Sequence, residues 1–380
     1  MKKRNILLIT ERRADYSRFK PILKKINKEK YLSFNLIVTG LHLLKNHGMT
    51  INEIKKDFKK ISYKFNNFDK DNIDTAKSMV SALSKTINQV SYCIEKFKPD
   101  IILSGFDIGA NFALTIVGAH YNIPIVHIQG GEVTGSIDES LRHSMSKFSN
   151  YHLVANVDAK KRLIKMGEEK KNIYVVGCPS LDALFDEPLV KDSILGQKFN
   201  IDLDKKFSIV IQHPVTSENK DSGKQIKETI KAIKRSKLQA LFILPNNDFG
   251  HKSIIKEIKK NKLKWTETLL LSEYKSLLKK TSILIGNSSS GIHEAASFNV
   301  PVINIGSRQN RRLKPSNVIN VDYKSNDIYK KIVYCLNNKS YLKMVKKIKN
   351  PYGDGKSAKK IIKILKKINL KKSTQKINTY

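Results

Sequence analysis

The segment ILIGNSSSGIHEAASF, residues 283–298, decides the fold class because it joins a buried strand to a helix through a glycine-serine loop. An apolar strand runs into Gly286, and an apolar helical pattern, Ile292–Phe298, follows the loop. Strand, loop and helix in this order build open parallel α/β sheets. The N–H groups and serine hydroxyls of the loop can bind an anion, and Glu294 can accept hydrogen bonds from ribose hydroxyls. The alternative interpretation is a serine-rich turn that only caps the helix.

The same unit recurs along the chain, which predicts an α/β protein with two Rossmann-like domains. The predicted strands are Asn5–Thr10, Phe34–Gly40, Ile101–Gly105, Pro124–Gln129, Tyr151–Asn156, Asn172–Gly177, Phe207–Gln212, Gln239–Leu244, Thr268–Leu271, Ile283–Gly286, Val302–Gly306 and Val318–Val321. The clearest helical pattern is Thr75–Lys98. The domains are predicted over 1–186 and 207–350, with a polar linker over 187–206. Ligands of such sheets bind beyond the carboxyl ends of the strands, so we expect a site in an interdomain cleft.

Composition argues against several classes of protein. The net charge of +37 comes mainly from lysine, 61 of the 71 basic residues, spread over most helix faces. Nucleic-acid binders concentrate charge on one face and favour arginine, so no specific nucleic-acid partner is predicted. No apolar run is long enough to cross a membrane, and Asn5–Thr10 is too short for a signal peptide, so we expect a cytoplasmic protein. Three scattered cysteines, with no P-loop or dinucleotide fingerprint, predict neither a metal nor a cofactor.

Polar residues after two predicted strands of the first domain are candidate site residues. Arg13 stands at a helix start and suits a phosphate, although it could be a surface arginine beside a helix cap, Asp15. The loop after Pro124–Gln129 opens with two glycines and is dense in ionisable groups, which favours a functional role. Asp138 in that loop could instead be a helix cap.

Two strands of the second domain also end in polar residues. His213 follows the strand Phe207–Gln212 and could take part in acid–base chemistry, because the pKa of histidine lies near neutrality. It could equally be structural. Asn246 follows the strand Gln239–Leu244 and is a candidate for binding the substrate.

Taken in order, these segments resemble the hydrolysing UDP-N-acetylglucosamine 2-epimerases of sialic-acid-type sugar synthesis. The resemblance rests on Arg13–Ser17, His127–Glu132, Ile137–His143, Gly177–Ser180, Gln212–Thr216, Gly286–Glu294, Pro301–Gln309 and Asn350–Gly355. It implies a glycosyltransferase-B-like pair of Rossmann-like domains, with a C-terminal helix in 351–380 crossing back to the first domain ahead of a basic tail. It also implies a UDP-sugar substrate, no cofactor, and a homodimer or homotetramer.

The resemblance further implies a mechanism and the residues that perform it. A base removes the C2 proton of the sugar while UDP leaves from C1, and water then adds to the glycal intermediate, releasing N-acetylmannosamine. By matching positions, the resemblance assigns catalytic roles to Asp107, Glu132, Asp138, Arg142 and His213. It assigns substrate binding to Arg13, Ser17, Gln129, Asn246, Ser288, Ser289, Glu294 and Arg308.

Two departures from the family pattern favour a changed sugar. Relatives commonly carry Gly-Asp-Arg after the third strand of the first domain, whereas this chain matches Asp107 only if Phe106 is an insertion, and Ile108 then replaces the arginine. Gln129 stands where several relatives have an acid, and an amide cannot act as a general base. Either Glu132 or another group serves as the base, or the chemistry is altered.

Several alternatives to the leading function stay open on the sequence. They are the same reaction on UDP-N,N'-diacetylbacillosamine, a non-hydrolysing epimerase or a glycosyltransferase on the same fold, and a nucleotide-sugar-binding protein with reduced or altered turnover. The Gly-Gly-Glu and Ile-Asp-Glu-Ser-Leu-Arg-His stretches favour the hydrolysing group.

Overall fold

The chain forms two compact α/β units. The computed structural model describes residues 3–45, 48–68, 75–106, 109–134, 137–245, 248, 250–370, 376 and 379. Unit 1 comprises Met1–Val133, Ile137–Ala183 and Gly355–Tyr380, and unit 2 comprises Thr134–Ser136 and Leu184–Asp354. In the part of the chain that the structure describes, no helix is both long and apolar enough to cross a membrane.

Unit 1 contains a seven-stranded parallel sheet. Its strands are β1 (Arg4–Thr10), β2 (Leu32–Val38), β3 (Tyr63–Lys64), β4 (Ile101–Gly105), β5 (Ile125–Ile128), β6 (Tyr151–Val154) and β7 (Ile173–Val175). They lie in the order β3-β2-β1-β4-β5-β6-β7, so the direction of winding reverses between β1 and β4. The crevice beyond the carboxyl ends of the two strands at such a reversal is the usual ligand site of an open α/β sheet.

Unit 2 repeats this topology with six strands. They are β8 (Phe207–Ile211), β9 (Gln239–Ile243), β10 (Lys264–Thr266), β11 (Ile283–Gly286), β12 (Val302–Ile305) and β13 (Val318–Val321). The order β10-β9-β8-β11-β12-β13 places the reversal between β8 and β11. The loop 287–290, which follows β11, therefore lies at the ligand-binding edge of its sheet.

Helices connect the strands of both units. The helices are α1 (Arg13–Ile26), α2 (Ile51–Asp57), α3 (Ala76–Phe97), α4 (Gly109–His120), α5 (Ile137–Phe148), α6 (Val157–Lys165), α7 (Pro179–Asp186), α8 (Asp192–Phe199), α9 (Ser222–Ser236), α10 (His251–Lys260), α11 (Leu271–Lys280), α12 (Ser289–His293), α13 (Ser325–Asn337), α14 (Lys339–Lys346) and α15 (Ser357–Lys367). Short 3₁₀ turns occupy Gly40–Leu43, Lys170–Asn172, Thr216–Asp221 and Ala295–Phe298. The prediction of two Rossmann-like α/β domains is confirmed.

The strands are buried because each sheet is covered on both faces. Along β1, Ile6 and Leu8 belong to one apolar cluster, and Leu7 and Ile9 belong to another on the opposite face. Alternation of this kind is what a fully covered parallel strand requires. Helix α15 packs into the first cluster, and its first N–H groups donate to the carboxylate of Asp182 at 2.8–2.9 Å.

The structure differs from the sequence-based expectation in two local stretches. The stretch 187–206, expected to be a linker, contains α8, whose Leu195 and Phe199 are buried in the core of unit 2 whereas Ile194 is exposed. The strand expected at Thr268–Leu271 is instead β10, and Leu271 begins α11, because the Glu273 carboxylate accepts the Leu270 N–H at 3.0 Å and caps a helix.

Candidate active site

The turn after β1 is held by one buried carboxylate. Asp15 accepts hydrogen bonds at 2.9–3.0 Å from the main-chain N–H groups of three residues of the turn. Its position fixes Arg13, the first residue of α1, whose side chain is one-third exposed with Nε 3.4 Å from Glu53. The Ser17 hydroxyl donates to a carbonyl one turn earlier. Arg13 therefore stands at the reversal of the sheet with its guanidinium accessible, and Asp15 has the structural role.

Glu11, the residue between β1 and this turn, was not among the predicted site residues. Its carboxylate is almost fully buried and accepts hydrogen bonds of 3.3 Å from the Ala110 N–H and from the side-chain amide of Asn67. Burial raises the pKa of Glu11. An acid placed directly after a buried strand was the available sequence signal. Glu11 thus holds the start of α4, the helix that follows β4.

Two neighbouring strand ends adopt a left-handed backbone. Phe106 after β4 has φ +70°, and Gln129 after β5 has φ +58°. Residues other than glycine pay a conformational cost there, and such residues cluster at functional sites. The Phe106 ring is buried against Phe19, with the ring centroids 5.1 Å apart. Phe106, which the resemblance treats as an insertion, thus contributes to the core of unit 1. The predicted catalytic Asp107, with Ile108, lies outside the described residues.

Gln129 is buried, and its amide meets a thiol. Its Nε2 donates to the Cys178 Sγ at 3.3 Å, and Cys178 in turn lies 3.1 Å from the Ser180 hydroxyl. Among the described residues its Oε1 has no hydrogen-bond partner. Neither the amide nor these neighbours supply a carboxylate at this strand end, so a base must come from elsewhere.

The predicted acidic loop is anchored by Arg142. This buried side chain on α5 donates to the main-chain oxygen of Glu132 at 2.7 Å, and the Glu132 carboxylate accepts from Asn156 at 3.2 Å. Asp138 lies in the first turn of α5, four residues before Arg142 and thus on the same helix face. Asp138 is partly exposed, whereas Glu132 is buried. One helix therefore positions two predicted catalytic residues and holds the loop that bears a third.

Unit 2 brings its predicted residues together around Asn287, which the sequence did not single out. Gly286 has φ +131°, and a Cβ there would lie 2.0 Å from the Ile211 oxygen, so only glycine lets β11 approach β8 this closely. The fully buried Asn287 side chain accepts the His213 N–H at 2.7 Å and donates to the His213 carbonyl at 2.9 Å. Its main-chain oxygen accepts from Gln309 at 2.8 Å.

His213 and Arg308 share an electrostatic environment. Burial, followed by the positive charge of Arg308, lowers the pKa of His213 to about 3. The imidazole is therefore neutral near pH 7 and can exchange hydrogen bonds without adding charge. Arg308 donates to the Asn287 oxygen at 3.3 Å, lies 3.8 Å from Asp248 and is about one-quarter exposed. The predicted Asn246 lies outside the described residues.

The helix that follows the serine-rich loop ends earlier than expected. Instead of one helix over Ile292–Phe298, α12 ends at His293 and a 3₁₀ turn follows, with Glu294 between them. The Ser290 hydroxyl donates to Glu294 at 2.8 Å and is also bonded to the buried Tyr274 hydroxyl. Ser288, Ser289 and Glu294 are all partly exposed, so they are accessible to a ligand.

The described side chains include no group of three or more histidine, cysteine, aspartate or glutamate residues arranged to hold a metal ion. What the two units offer is hydrogen bonding and charge. Unit 2 presents an arginine, a neutral imidazole and serine hydroxyls, which suit a phosphate. Unit 1 presents carboxylates and a buried arginine, which suit proton transfer.

Comparison with known proteins identifies the family of this chain. A family model described as UDP-N-acetylglucosamine 2-epimerase matches residues 24–366. The chain is 35% identical over 376 residues to the UDP-N,N'-diacetylbacillosamine 2-epimerase (hydrolyzing) of Legionella pneumophila, covering 97% of each chain. It is 34% identical to a UDP-N-acetylglucosamine 2-epimerase of Neisseria meningitidis serogroup B, covering 86% of each.

A solved structure shows the same fold. The crystal structure of UDP-GlcNAc 2-epimerase from Neisseria meningitidis bound to UDP-GlcNAc superposes with a TM-score of 0.84 at 20% identity, over 96% of this chain and 100% of that one. This likeness confirms the predicted glycosyltransferase-B-like class of fold. With the family match over most of its length, the chain belongs to the UDP-N-acetylglucosamine 2-epimerase family.

Proposed function

We propose that the protein is a hydrolysing 2-epimerase that converts UDP-N-acetylglucosamine to N-acetylmannosamine and UDP. The observation that carries the proposal is the arrangement around Asn287, which fixes the main chain of His213 and lies beside the guanidinium of Arg308. An accessible cation beside a neutral imidazole is suited to a diphosphate that gains charge as it leaves C1. The hydrolysing type is supported by the name of the Legionella relative.

In the proposed reaction the residues of unit 2 stabilise the leaving group. Arg308, Ser288 and Ser289 bind the diphosphate, Glu294 accepts from the ribose hydroxyls, and Asn246 also contacts the substrate. His213 donates a hydrogen bond to a phosphate oxygen or the leaving oxygen, since its lowered pKa keeps it uncharged. Charge stabilisation of UDP then comes from the arginine.

Unit 1 supplies the proton transfers. A carboxylate takes the C2 proton while the bond between C1 and the UDP oxygen breaks, which leaves a C1=C2 double bond. Water then adds its oxygen to C1 and loses a proton to a carboxylate, while a second group returns a proton to C2 from the opposite face. Asp138 and Asp107 are the proposed acid–base pair, Glu132 is the further candidate, and Arg142 positions the loop. Arg13, Ser17 and Gln129 are proposed to contact the substrate.

Deuterium incorporation tests this function. The protein is incubated with UDP-N-acetylglucosamine in deuterated water, and free UDP and sugar are followed by NMR. Release of a manno-configured sugar deuterated at C2 is expected. Asp138→Asn should abolish turnover and keep UDP affinity, whereas Ser289→Ala with Arg308→Ala should weaken UDP binding first. Binding of the substrate without release of UDP would show that the protein does not perform this reaction.

A second candidate substrate is UDP-N,N'-diacetylbacillosamine. Phe106, which the resemblance treats as an insertion, and Gln129 both lie at strand ends of unit 1, where the sugar is proposed to react. The Legionella relative carries this sugar in its name. Running the same experiment on both nucleotide sugars, at equal concentrations, ranks them by kcat/KM. Light scattering of the purified protein tests the homodimer or homotetramer that the resemblance implies.

A further inference from the structure

The C-terminal tail carries a lysine that is inserted into unit 1. Lys376 lies with its ammonium 2.5 Å from the Glu168 carboxylate and is largely buried. Glu168 is 1% exposed. It also accepts from the His152 Nε2 at 2.8 Å and lies 3.2 Å from Lys147. Burial lowers the pKa of Lys376.

A second contact fixes the tail at the same place. The Thr379 N–H donates to the Gly167 oxygen at 3.0 Å, next to Glu168 in sequence. Gly167 has φ +83°, and a Cβ on it would lie 3.1 Å from the Thr379 oxygen. A residue with a side chain would be strained there and would crowd the tail. The contact between the tail and unit 1 therefore combines a buried ion pair with a main-chain hydrogen bond at a position that favours glycine.

Lys376 also caps the helix of the proposed acid–base residue. Its ammonium donates to the main-chain oxygens of Ser146 at 2.7 Å and Lys147 at 2.9 Å, in the last turn of α5. Carbonyls of a last turn have no partner within their own helix, and a lysine there satisfies them and complements the helix dipole. Asp138 lies in the first turn of the same helix.

The side chain of Ser146 links this cap to the rest of the site. Its hydroxyl lies 3.1 Å from the His127 Nδ1 on β5, and it donates to the Arg142 carbonyl one turn up the helix. Arg142 in turn holds the Glu132 loop. Burial lowers the pKa of His127 to about 3, so this imidazole is neutral near pH 7.

We infer that Lys376 is a positioning residue, by which the C-terminal tail holds α5 and the proposed catalytic residues Asp138 and Arg142 in register. The inference rests on the proposed function, because it assigns those two residues to the reaction. The tail acts through the helix and not on the substrate. Losing the ammonium removes one donor from each of two carbonyls of α5, of which Ser146 keeps the Ser149 N–H, and leaves part of the Glu168 charge uncompensated. We therefore expect the end of the helix to loosen before the unit unfolds.

The test compares Lys376→Met, Lys376→Arg and Glu168→Gln in the full chain. Lys366→Met is the matched control, because Lys366 forms a surface ion pair with Glu29 at 3.0 Å in the same C-terminal region. We expect Lys376→Met to lower kcat roughly tenfold or more with KM changed less than about threefold, a barrier increase of about 1.4 kcal/mol. Amide exchange of 137–148 should quicken, Lys376→Arg should recover part of the rate, and the control should match the wild type.

Two outcomes would overturn the inference while leaving the proposed function intact. One is an active wild type with Lys376→Met unchanged in kcat and in exchange of 137–148. The other is a Lys376→Met variant whose exchange rises uniformly over unit 1, which would make the lysine a general stabiliser. An inactive wild type would count against the proposed function instead, and the exchange of α5 would still report whether the tail holds the helix.

Discussion

The substitution Asn287→Ala tests how unit 2 builds its half of the site. It removes the acceptor of the His213 N–H and the donor to the His213 carbonyl, at 2.7 and 2.9 Å. Both main-chain groups lie in a buried segment. Each of the two orphaned groups costs about 1–3 kcal/mol, so we expect the free energy of unfolding of unit 2 to fall by about 2–6 kcal/mol.

The same change should weaken UDP binding. Asn287 bonds to both His213 and Arg308, so without its side chain the main chain of His213 would no longer be held next to Arg308. We expect the Kd for UDP to rise at least about tenfold, which is about 1.4 kcal/mol. Calorimetric titration with UDP measures this effect on protein that is still folded at the working temperature.

Urea unfolding gives the stability arm of the experiment. The chain has a single tryptophan, Trp265, which lies in β10, so its fluorescence reports unit 2. Asn326→Ala is the matched control, because Asn326 is exposed and its side-chain oxygen accepts from the exposed Arg235 at 3.1 Å. We expect the control to change stability by less than about 0.5 kcal/mol. A loss below about 1 kcal/mol for Asn287→Ala, with UDP affinity unchanged, would refute the reasoning.

Three further predictions concern buried groups. His213 has a pKa of about 3 in the folded protein, below its ordinary value of 6.5. Its contribution to stability is therefore complete above pH 6.5 and is lost as the pH falls toward 3. Over that range the urea midpoint of His213→Gln should depend less on pH than that of the wild type. Glu11→Ala removes the carboxylate that accepts from the Ala110 N–H and from the side-chain amide of Asn67, so we expect the free energy of unfolding to fall by about 1–3 kcal/mol, as thermal unfolding measures. Tyr274→Phe removes the hydrogen bond to Ser290, and we expect roughly three- to tenfold weaker UDP binding by calorimetry, with a stability loss of about 1 kcal/mol. Equal UDP affinity for Tyr274→Phe and wild type would contradict the last prediction.

Local pattern was sufficient where one element carried the signal. Buried strands such as β1 and β11 are apolar runs bounded by polar residues, and alternation of strands with helices predicts parallel sheets. It failed where tertiary contacts override the local preference. The apolar run Leu269–Leu271 reads as a strand, yet the carboxylate of Glu273 caps a helix there. The polar stretch 187–206 is typical of a linker, yet Leu195 and Phe199 of α8 pack into the core of unit 2.

Within the site, the sequence identified loops more readily than partners. Arg13 and His213 were predicted because each follows a buried apolar strand, which is a local feature of the sequence, and Arg308 was predicted from the family resemblance. Asn287 and Glu11 were not, because their roles consist of contacts 74 and 99 residues away in the chain. A hydrogen-bond partner so distant in the chain produces no periodic pattern in the sequence.

The sequence by itself determined the class of fold and the family. Both follow from hydrophobic patterning and from motifs that are contiguous along the chain, because strand and helix periods are local properties. Only the tertiary structure decided that Asn287 unites His213 with the Arg308 loop, and that Lys376 reaches α5 from the far end of the chain. The physical reason is that buried hydrogen bonds and ion pairs depend on which surfaces the folded chain brings together, and spacing in sequence does not specify this.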